Sequence, residues 1–429
     1  MRILQINKFF YRRGGAETHM LDLAELLRTC GHKVGFFSTK GQNTLPTLYE
    51  KYFIPEIDLR APKNPWQKIK MVEHILYSIP AARNLKKLLT DFKPEVAHLH
   101  NIYYHISPSI LPVLKKNKIP TVMTLHDYKL LSPNYQLFSR GKIDESSTGG
   151  HYFNCVKNRC VFNSFWPSLA GSYEAWFNAK KYINAIDLFI SPSRFLKNKF
   201  VEYGWPENKI EILPNFVFPK NPLGAEKEKE DVQNEKQEEK NEKQEEKFGD
   251  YLLYFGRLSE EKGLKILLAA SRLLPNIPVH IVGTGPMNNE LFNEIILKQI
   301  NNVKLLGYKS GLALEKEIIN ARMVVLPSIW YENSPLSALE SMAYGKCLIA
   351  SKIGGIPEII EDNKNGILFE PGNAEYLAVQ IKTIWNDEEK IKTLGLEAKK
   401  YVEENRSPER YYEGLMKIYK KITLNYKMD

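Results

Sequence analysis

Twelve short runs of near-continuous apolar residues punctuate this chain, and most of the stretches between them repeat with helical periodicity. In the first half the runs lie at 1–7, 33–39, 96–101, 120–127, 188–193 and 210–215; in the second at 251–256, 279–283, 303–307, 323–328, 347–351 and 366–370. Apolar residues at successive rather than alternate positions are what a strand covered on both faces requires. Strands alternating with helices predict parallel sheets joined by right-handed crossovers. Two such sets predict an α/β chain with two doubly wound domains.

Between the sets the pattern stops. Residues 223–250 are rich in Glu, Lys and Gln, and Asn-Glu-Lys-Gln-Glu-Glu-Lys occurs at 234–240 and again at 241–247. Such a segment cannot bury enough surface to offset its ordering entropy, so it reads as a linker. The expected organisation is 1–222, a linker at 223–250, a second domain at 251–406, and a basic amphipathic segment at 407–429 that packs back across the junction. A second amphipathic stretch, 63–80, sets Trp66, Ile69, Val72, Leu76 and Ile79 beside Lys63, Lys68 and Lys70. That combination suits either a helix covering its own sheet or one lying on an anionic membrane.

Composition narrows the class. The 429 residues exceed the size at which one core stops growing, and 43% hydrophobic with 26% charged is ordinary for a globular protein. The net charge of +10 is uneven, with 31 Lys+Arg against 17 Asp+Glu in residues 1–220 and 29 against 33 in the rest. A basic first half fits an anionic partner such as a membrane surface, a lipid diphosphate or an acidic glycan. It matches no nucleic-acid module. The start of the chain reads as a strand rather than a secretory leader, and no run approaches the roughly 20 apolar residues that span a bilayer. Four cysteines (Cys30, Cys155, Cys160, Cys347) are too few for a disulfide framework, so free thiols in a reduced, cytoplasmic compartment are expected. His151, Cys155 and Cys160 cluster without a fourth zinc ligand.

The candidate chemistry follows the strands, where open parallel sheets bind ligands. After the first run, Gly14-Gly15 precede a helix whose N-terminal amides suit a phosphate. In Met323–Gly345 a strand ends near Ser328 and a loop carries Glu332. Ser334 is placed to cap a helix with Pro335 at its first position, Glu340 in its second turn and Gly345 at its end. A diphosphate would be stabilised at that helix start and would repel both carboxylates, so Glu332 and Glu340 fit acceptors of sugar and ribose hydroxyls. Arg257, at a strand end, and Lys262, five residues on, are the cations that could offset such a charge. Gly283-Thr-Gly-Pro286 and Gly354-Gly-Ile-Pro-Glu358 add glycine turns after further strands.

The order of these motifs resembles the retaining, GT-B-fold glycosyltransferases of family 4, also called group 1. The resemblance rests on Phe255–Gly263, Gly283–Pro286, Leu326–Ser328, Glu332 with Glu340, and Gly354–Glu358. In the first half it rests on Gly14–Glu17, His98–Asn101 and Thr124–Asp127. It covers the chain except the linker and implies two facing Rossmann-like domains, with the last helix crossing the junction. It further implies that Arg257 and Lys262 hold the donor diphosphate, Glu340 the ribose, and Glu332 the transferred sugar. Gly14 and Gly15 would close over the phosphates, Gly283 would line the donor site, and Tyr308 the base pocket. Asn333, Ser334, Pro335 and Leu336 would line the diphosphate cradle. His126 would lie near sugar and acceptor, with His100, Asn101 and Asp127 on the acceptor side. The family commonly has Glu-Gly-Phe-Pro where this chain has Glu332-Asn-Ser-Pro335, so the sugar preference does not carry over.

The activity so implied is transfer of a hexose from a UDP- or GDP-sugar to a glycan or lipid-linked glycan in cell-surface polysaccharide synthesis. Peripheral contact with the inner face of the plasma membrane would go with it. No cofactor or metal is expected, because no Asp-x-Asp pair occurs and the cations take its place. Two competing readings are a non-catalytic nucleotide-sugar-binding scaffold and a GT-B-fold nucleotide-sugar epimerase.

Overall fold

The computed structural model describes residues 1–57, 74–219 and 249–428. The charged segment at 223–248, and Lys63, Lys68 and Lys70 of the amphipathic stretch, lie outside the described residues. Two compact units emerge: Met1–Asn215 with Pro408–Asp429, and Phe216–Ser407. The first therefore ends ahead of the position the sequence suggests, because Val217 N donates to Arg406 O at 3.1 Å within the second unit.

The first unit holds a six-stranded parallel sheet of β1 (Arg2–Ile6), β2 (Lys33–Phe37), β3 (Val96–Leu99), β4 (Thr121–Thr124), β5 (Leu188–Ser191) and β6 (Ile210–Ile212). Its order is β6-β5-β4-β3-β1-β2. The second unit holds β7 (Leu252–Phe255), β8 (Val279–Val282), β9 (Val303–Leu305), β10 (Met323–Leu326), β11 (Cys347–Ser351) and β12 (Ile367–Phe369), in the order β9-β8-β7-β10-β11-β12. All twelve expected runs fall on these strands. Where a run overshoots, the surplus residues are loop: His100 and Asn101 lie just past β3, and His126 and Asp127 just past β4. In the second unit the chain order reverses between β7 and β10, the switch point where such sheets bind ligands.

The helices that matter below are α1 (Gly15–Thr29), α2 (Phe165–Ala185), α3 (Leu264–Arg272), α4 (Leu336–Ala343) and α5 (Pro408–Met428). The last one belongs to the first unit. It buries Tyr411, Leu415, Ile418, Tyr419 and Ile422, and a Cβ on its Gly414 would sit 2.6 Å from Leu213 Cδ1.

Two details depart from the sequence reading. Helix α4 starts a residue later than expected: Pro335, extended at φ −67° and ψ 120°, takes the cap position, and Leu336 is the first helical residue. Gly345 does end it, in the left-handed region at φ 68°. Cys155 and Cys160 are not free thiols but a disulfide, with Cα atoms 4.9 Å apart. The chain turns back there so that Cys160 N donates to Cys155 O at 2.9 Å, which brings the sulfurs within bonding range. His151 stays exposed.

Deep in the first unit, Lys129 Nζ meets Glu174 Oε2 at 2.6 Å, with both side chains 3% exposed or less. Burial alone would push the ammonium pKa down; Glu174 and Tyr104 outweigh it and hold it above its usual range. Breaking such a pair strands a buried charge. Lys129→Met is expected to destabilise this unit by about 3–5 kcal/mol, and the Lys129→Met/Glu174→Leu double variant to recover most of that. Thermal melts of both variants check the difference.

Candidate active site

In the second unit, three loops at strand ends converge on Glu332. The loop after β7 runs through Ser259–Gly263 into α3. Gly263 takes φ 70°, and a Cβ there would sit 2.8 Å from Pro327 C and closer still to the Pro327 oxygen. Only glycine lets this loop press on the one after β10, where Ile329 N donates to Glu261 O at 2.9 Å. The approach delivers Lys262 Nζ to Glu332 Oε1 at 2.6 Å, while the ammonium lies 5.1 Å from the Trp330 ring centroid. Ser328 Oγ donates to the same carboxylate oxygen at 2.6 Å. From the third side, Gly355 N donates to Glu332 O at 2.6 Å, and a Cβ on Gly354 (φ 61°) would stand 2.7 Å from Glu332 N. Both ends of Glu332 are thus fixed, and its side chain is 5% exposed.

Arg257 lies on the same β7 loop, exposed and without a side-chain partner among the described residues. Its carbonyl accepts from the Tyr254 hydroxyl at 2.9 Å, which orients the turn. Gly283, after β8, packs against Gly256 after β7: a Cβ would stand 3.0 Å from Gly256 C. Asn333, Ser334 and Pro335 are buried in the approach to α4, and Leu336 and Glu340 are half-buried on it. Tyr308, just past β9, is 64% exposed. The structure therefore joins Lys262 to Glu332, with Arg257 on the same loop as Lys262, and leaves Tyr308 at the far edge of the sheet.

In the first unit, Gly14 and Gly15 are exposed at the start of α1. Glu17 beside them is buried, held by Asn7 Nδ2 at 3.4 Å, while Asn7 Oδ1 accepts from Asn101 N at 3.0 Å. Asn101 Nδ2 in turn donates to Asp127 Oδ2 at 3.3 Å. Burial raises the Asp127 carboxyl above its usual range. Three histidines form one stack, and His19 meets it edge-on. His98 and His100 lie 4.7 Å apart and 9° from parallel, and His100 and His126 lie 5.1 Å apart. His100 Nε2 meets Gln5 Oε1 at 2.7 Å, and its Nδ1 meets His126 Nε2 at 2.8 Å. With the Gln5 oxygen accepting, His100 is protonated on Nε2, and its Nδ1 accepts a hydrogen bond from His126 Nε2–H. His98 sits between Thr124 Oγ1 and the Tyr419 hydroxyl, both at 2.7 Å, and His19 reaches the Tyr411 hydroxyl at 3.1 Å. Burial lowers all four pKa values: His19 to about 4, His98 to about 3, His100 and His126 well below the usual value. These imidazoles are neutral at physiological pH.

Sequence reasoning missed Ser328, Gln5, Asn7, Tyr411 and Tyr419 as partners of these groups. Gln5 and Asn7 left one signal: polar residues inside or directly after the apolar run that makes a buried strand.

Two family models match the chain, Glycosyltransferase Family 4 over residues 13–220 and Glycosyl transferases group 1 over 233–401. An uncharacterised glycosyltransferase of Methanocaldococcus jannaschii is 24% identical over 99% of both chains. The amylovoran biosynthesis glycosyltransferase AmsK of Erwinia amylovora is 26% identical over 55% of this chain and 56% of its own. Among solved structures, Anabaena HepE in complex with UDP-glucose superposes with a TM-score of 0.66 at 19% identity, covering 98% of this chain and all of that one. The class is a glycosyltransferase with the GT-B fold of two Rossmann-like domains. The chain belongs to the group 1, family 4 glycosyltransferases.

Two outcomes follow from this geometry. Gly354→Ala would force a non-glycine residue into a left-handed conformation against the Glu332 backbone. It is expected to destabilise the second unit by about 1–3 kcal/mol, read as a fall in its melting temperature. For the histidine stack, above pH 6.5 folded and unfolded forms are both neutral and contribute nothing. Below 6.5 the unfolded chain binds protons that folded His19 and His98 refuse until about pH 4 and 3. Stability therefore falls on acidification through that window, by up to about 1.4 kcal/mol per pH unit for each histidine. Melting temperatures between pH 7 and 5.5 should drop, and the slope should flatten in His98→Gln.

Proposed function

We propose that this chain is a retaining hexosyltransferase that uses a nucleotide-diphosphate sugar, UDP- or GDP-linked, and transfers to a glycan or lipid-linked glycan in cell-surface polysaccharide synthesis. The observation that carries this reading is the strand-end arrangement of Arg257, Lys262 and the clamped Glu332 at the switch point of the second sheet. The Erwinia relative's role in amylovoran biosynthesis and the UDP-glucose bound by Anabaena HepE support the acceptor class and donor class respectively.

In this reading the exposed Arg257 guanidinium and the Lys262 ammonium take the donor diphosphate, joined by the amides at the start of α4. As the bond from sugar C1 to the phosphate oxygen breaks, negative charge grows on the leaving group and positive charge on the sugar. The two cations lower the first, without a metal, and the Glu332 carboxylate sits suited to the second and to a sugar hydroxyl. The acceptor oxygen bonds to C1 on the face the phosphate leaves, and its proton passes to the departing phosphate oxygen. Configuration is retained. Glu340 takes the ribose and Tyr308 the base. His126, neutral and held by His100, hydrogen-bonds sugar or acceptor hydroxyls, with Asn101 and Asp127 beside it. His100, having both ring nitrogens engaged, supports His126 rather than touching substrate.

A thermal-shift series with UDP, GDP and ADP tests the donor class. One nucleotide at about 100 times its dissociation constant should stabilise the protein by about 2.7 kcal/mol. Arg257→Ala should abolish that shift and leave the unliganded melting temperature unchanged. No shift with any nucleotide, or a full shift in Arg257→Ala, would remove the reading. Slow donor hydrolysis without acceptor separates an enzyme from a binding scaffold.

A further inference from the structure

Helix α2 is built inside out. A surface helix ordinarily turns apolar residues to the core and polar ones to water. Here the inward face carries Ser168, Gly171, Ser172, Glu174 and Asn178, all buried, with only Ala175 and Tyr182 as apolar members. The outward face carries Phe165 (45% exposed), Trp166 (73%), Tyr173 (42%), Trp176 (58%) and Phe177 (42%). At 100° per residue these five aromatics fall within about 120° of arc, centred opposite the buried residues. They touch one another: Phe165 and Trp166 ring centroids are 5.2 Å apart, Tyr173 and Trp176 5.8 Å, and Tyr173 and Phe177 lie 6.1 Å apart and nearly parallel.

The inversion is locked from within. Glu174 holds Lys129 at 2.6 Å and accepts from Asn178 Nδ2 at 3.3 Å. Ser172 Oγ donates to Tyr152 O at 2.8 Å, and Ser168 Oγ to Ser164 O at 2.7 Å. Rolling α2 to hide its aromatics would strand a buried lysine and a buried carboxylate, each far costlier than the exposed rings.

Charge identifies what covers this face. Glu174 is the only carboxylate on α2, and it points inward. Lys180 is exposed, and Lys181 Nζ lies 3.4 Å from the Phe177 ring centroid. The short helix Asn154–Asn158 and the turn after it, which the Cys155–Cys160 disulfide closes, add exposed Lys157 and Arg159. From 149 to 185 every charge at the surface is positive. A second copy seated across a two-fold axis would oppose these cations to themselves. Amphipathic Trp and Tyr rings flanked by lysines are the chemistry of the bilayer–water interface.

We propose that α2 lies flat on an anionic lipid bilayer, its aromatic face entering the headgroup region and its flanking cations meeting lipid phosphates. No helix among the described residues is long and apolar enough to cross a membrane; the contact proposed is that of one helix lying along the bilayer surface. The proposal stands independently of donor or acceptor.

The test is co-sedimentation of the full chain with vesicles of phosphatidylcholine alone or with roughly one-third phosphatidylglycerol. The protein should pellet with the anionic vesicles. Trp166→Ser/Trp176→Ser should weaken that binding at least about tenfold, and Lys157→Gln/Arg159→Gln/Lys180→Gln should erase the preference for anionic lipid. All five side chains are exposed, so both variants should melt like the parent. Failure of the parent chain to pellet, or equal binding by the tryptophan variant, overturns the proposal. So does a solution dimer that the tryptophan variant dissociates without any vesicle binding, which assigns the face to a second copy.

Discussion

The second unit depends on one carboxylate being held from three sides. A glutamate 5% exposed is expensive unless its charge is met. Ser328 and Lys262 meet it on a single oxygen, and Gly355 fixes the backbone that presents it. Each contact comes from the loop after a different strand, β7, β10 or β11, so the three loops are tied to one another through Glu332. The glycines at 263 and 354 follow from the same demand. A side chain at either would push a loop back and loosen the pair. What looks in the sequence like scattered glycine turns is the clearance around one charged group.

The first unit solves a different problem, packing polar rings in a place that excludes their charge. Three histidines stack beside the carboxyl ends of its central strands with His19 edge-on to them, and their ring nitrogens meet one another, Gln5, Thr124 and two tyrosines. Because burial keeps them neutral, each ring nitrogen is either a donor or an acceptor, and the sequence of partners sets which. The order of protons along Gln5, His100 and His126 is therefore a property of the fold. It would be scrambled by one added charge.

The strands were legible because burial on both faces leaves a run that little else produces. The motif residues were legible because doubly wound sheets put their chemistry just past strand ends, where the runs overshot. The pairings were not. Nothing along the chain ties Lys129 to Glu174, and only the fold shows that α2 turns Glu174 toward it. Cys155 and Cys160 read as two thiols among four, since five-residue spacing alone does not reveal the turn that closes them. The family resemblance puts His100 on the acceptor side. One position past a central strand it is covered instead, and both nitrogens are spoken for.

The return of α5 to the first unit has a consequence for synthesis. Residues 216–407 lie between the two parts of the first unit, so the second unit can complete its core without any residue made after position 407. The first unit cannot. Its His98 and His19 wait for hydroxyls at positions 419 and 411, some three to four hundred residues downstream. The part of the chain made first is closed only once α5 has been made and has docked, and until then two of its histidines each lack one hydroxyl partner.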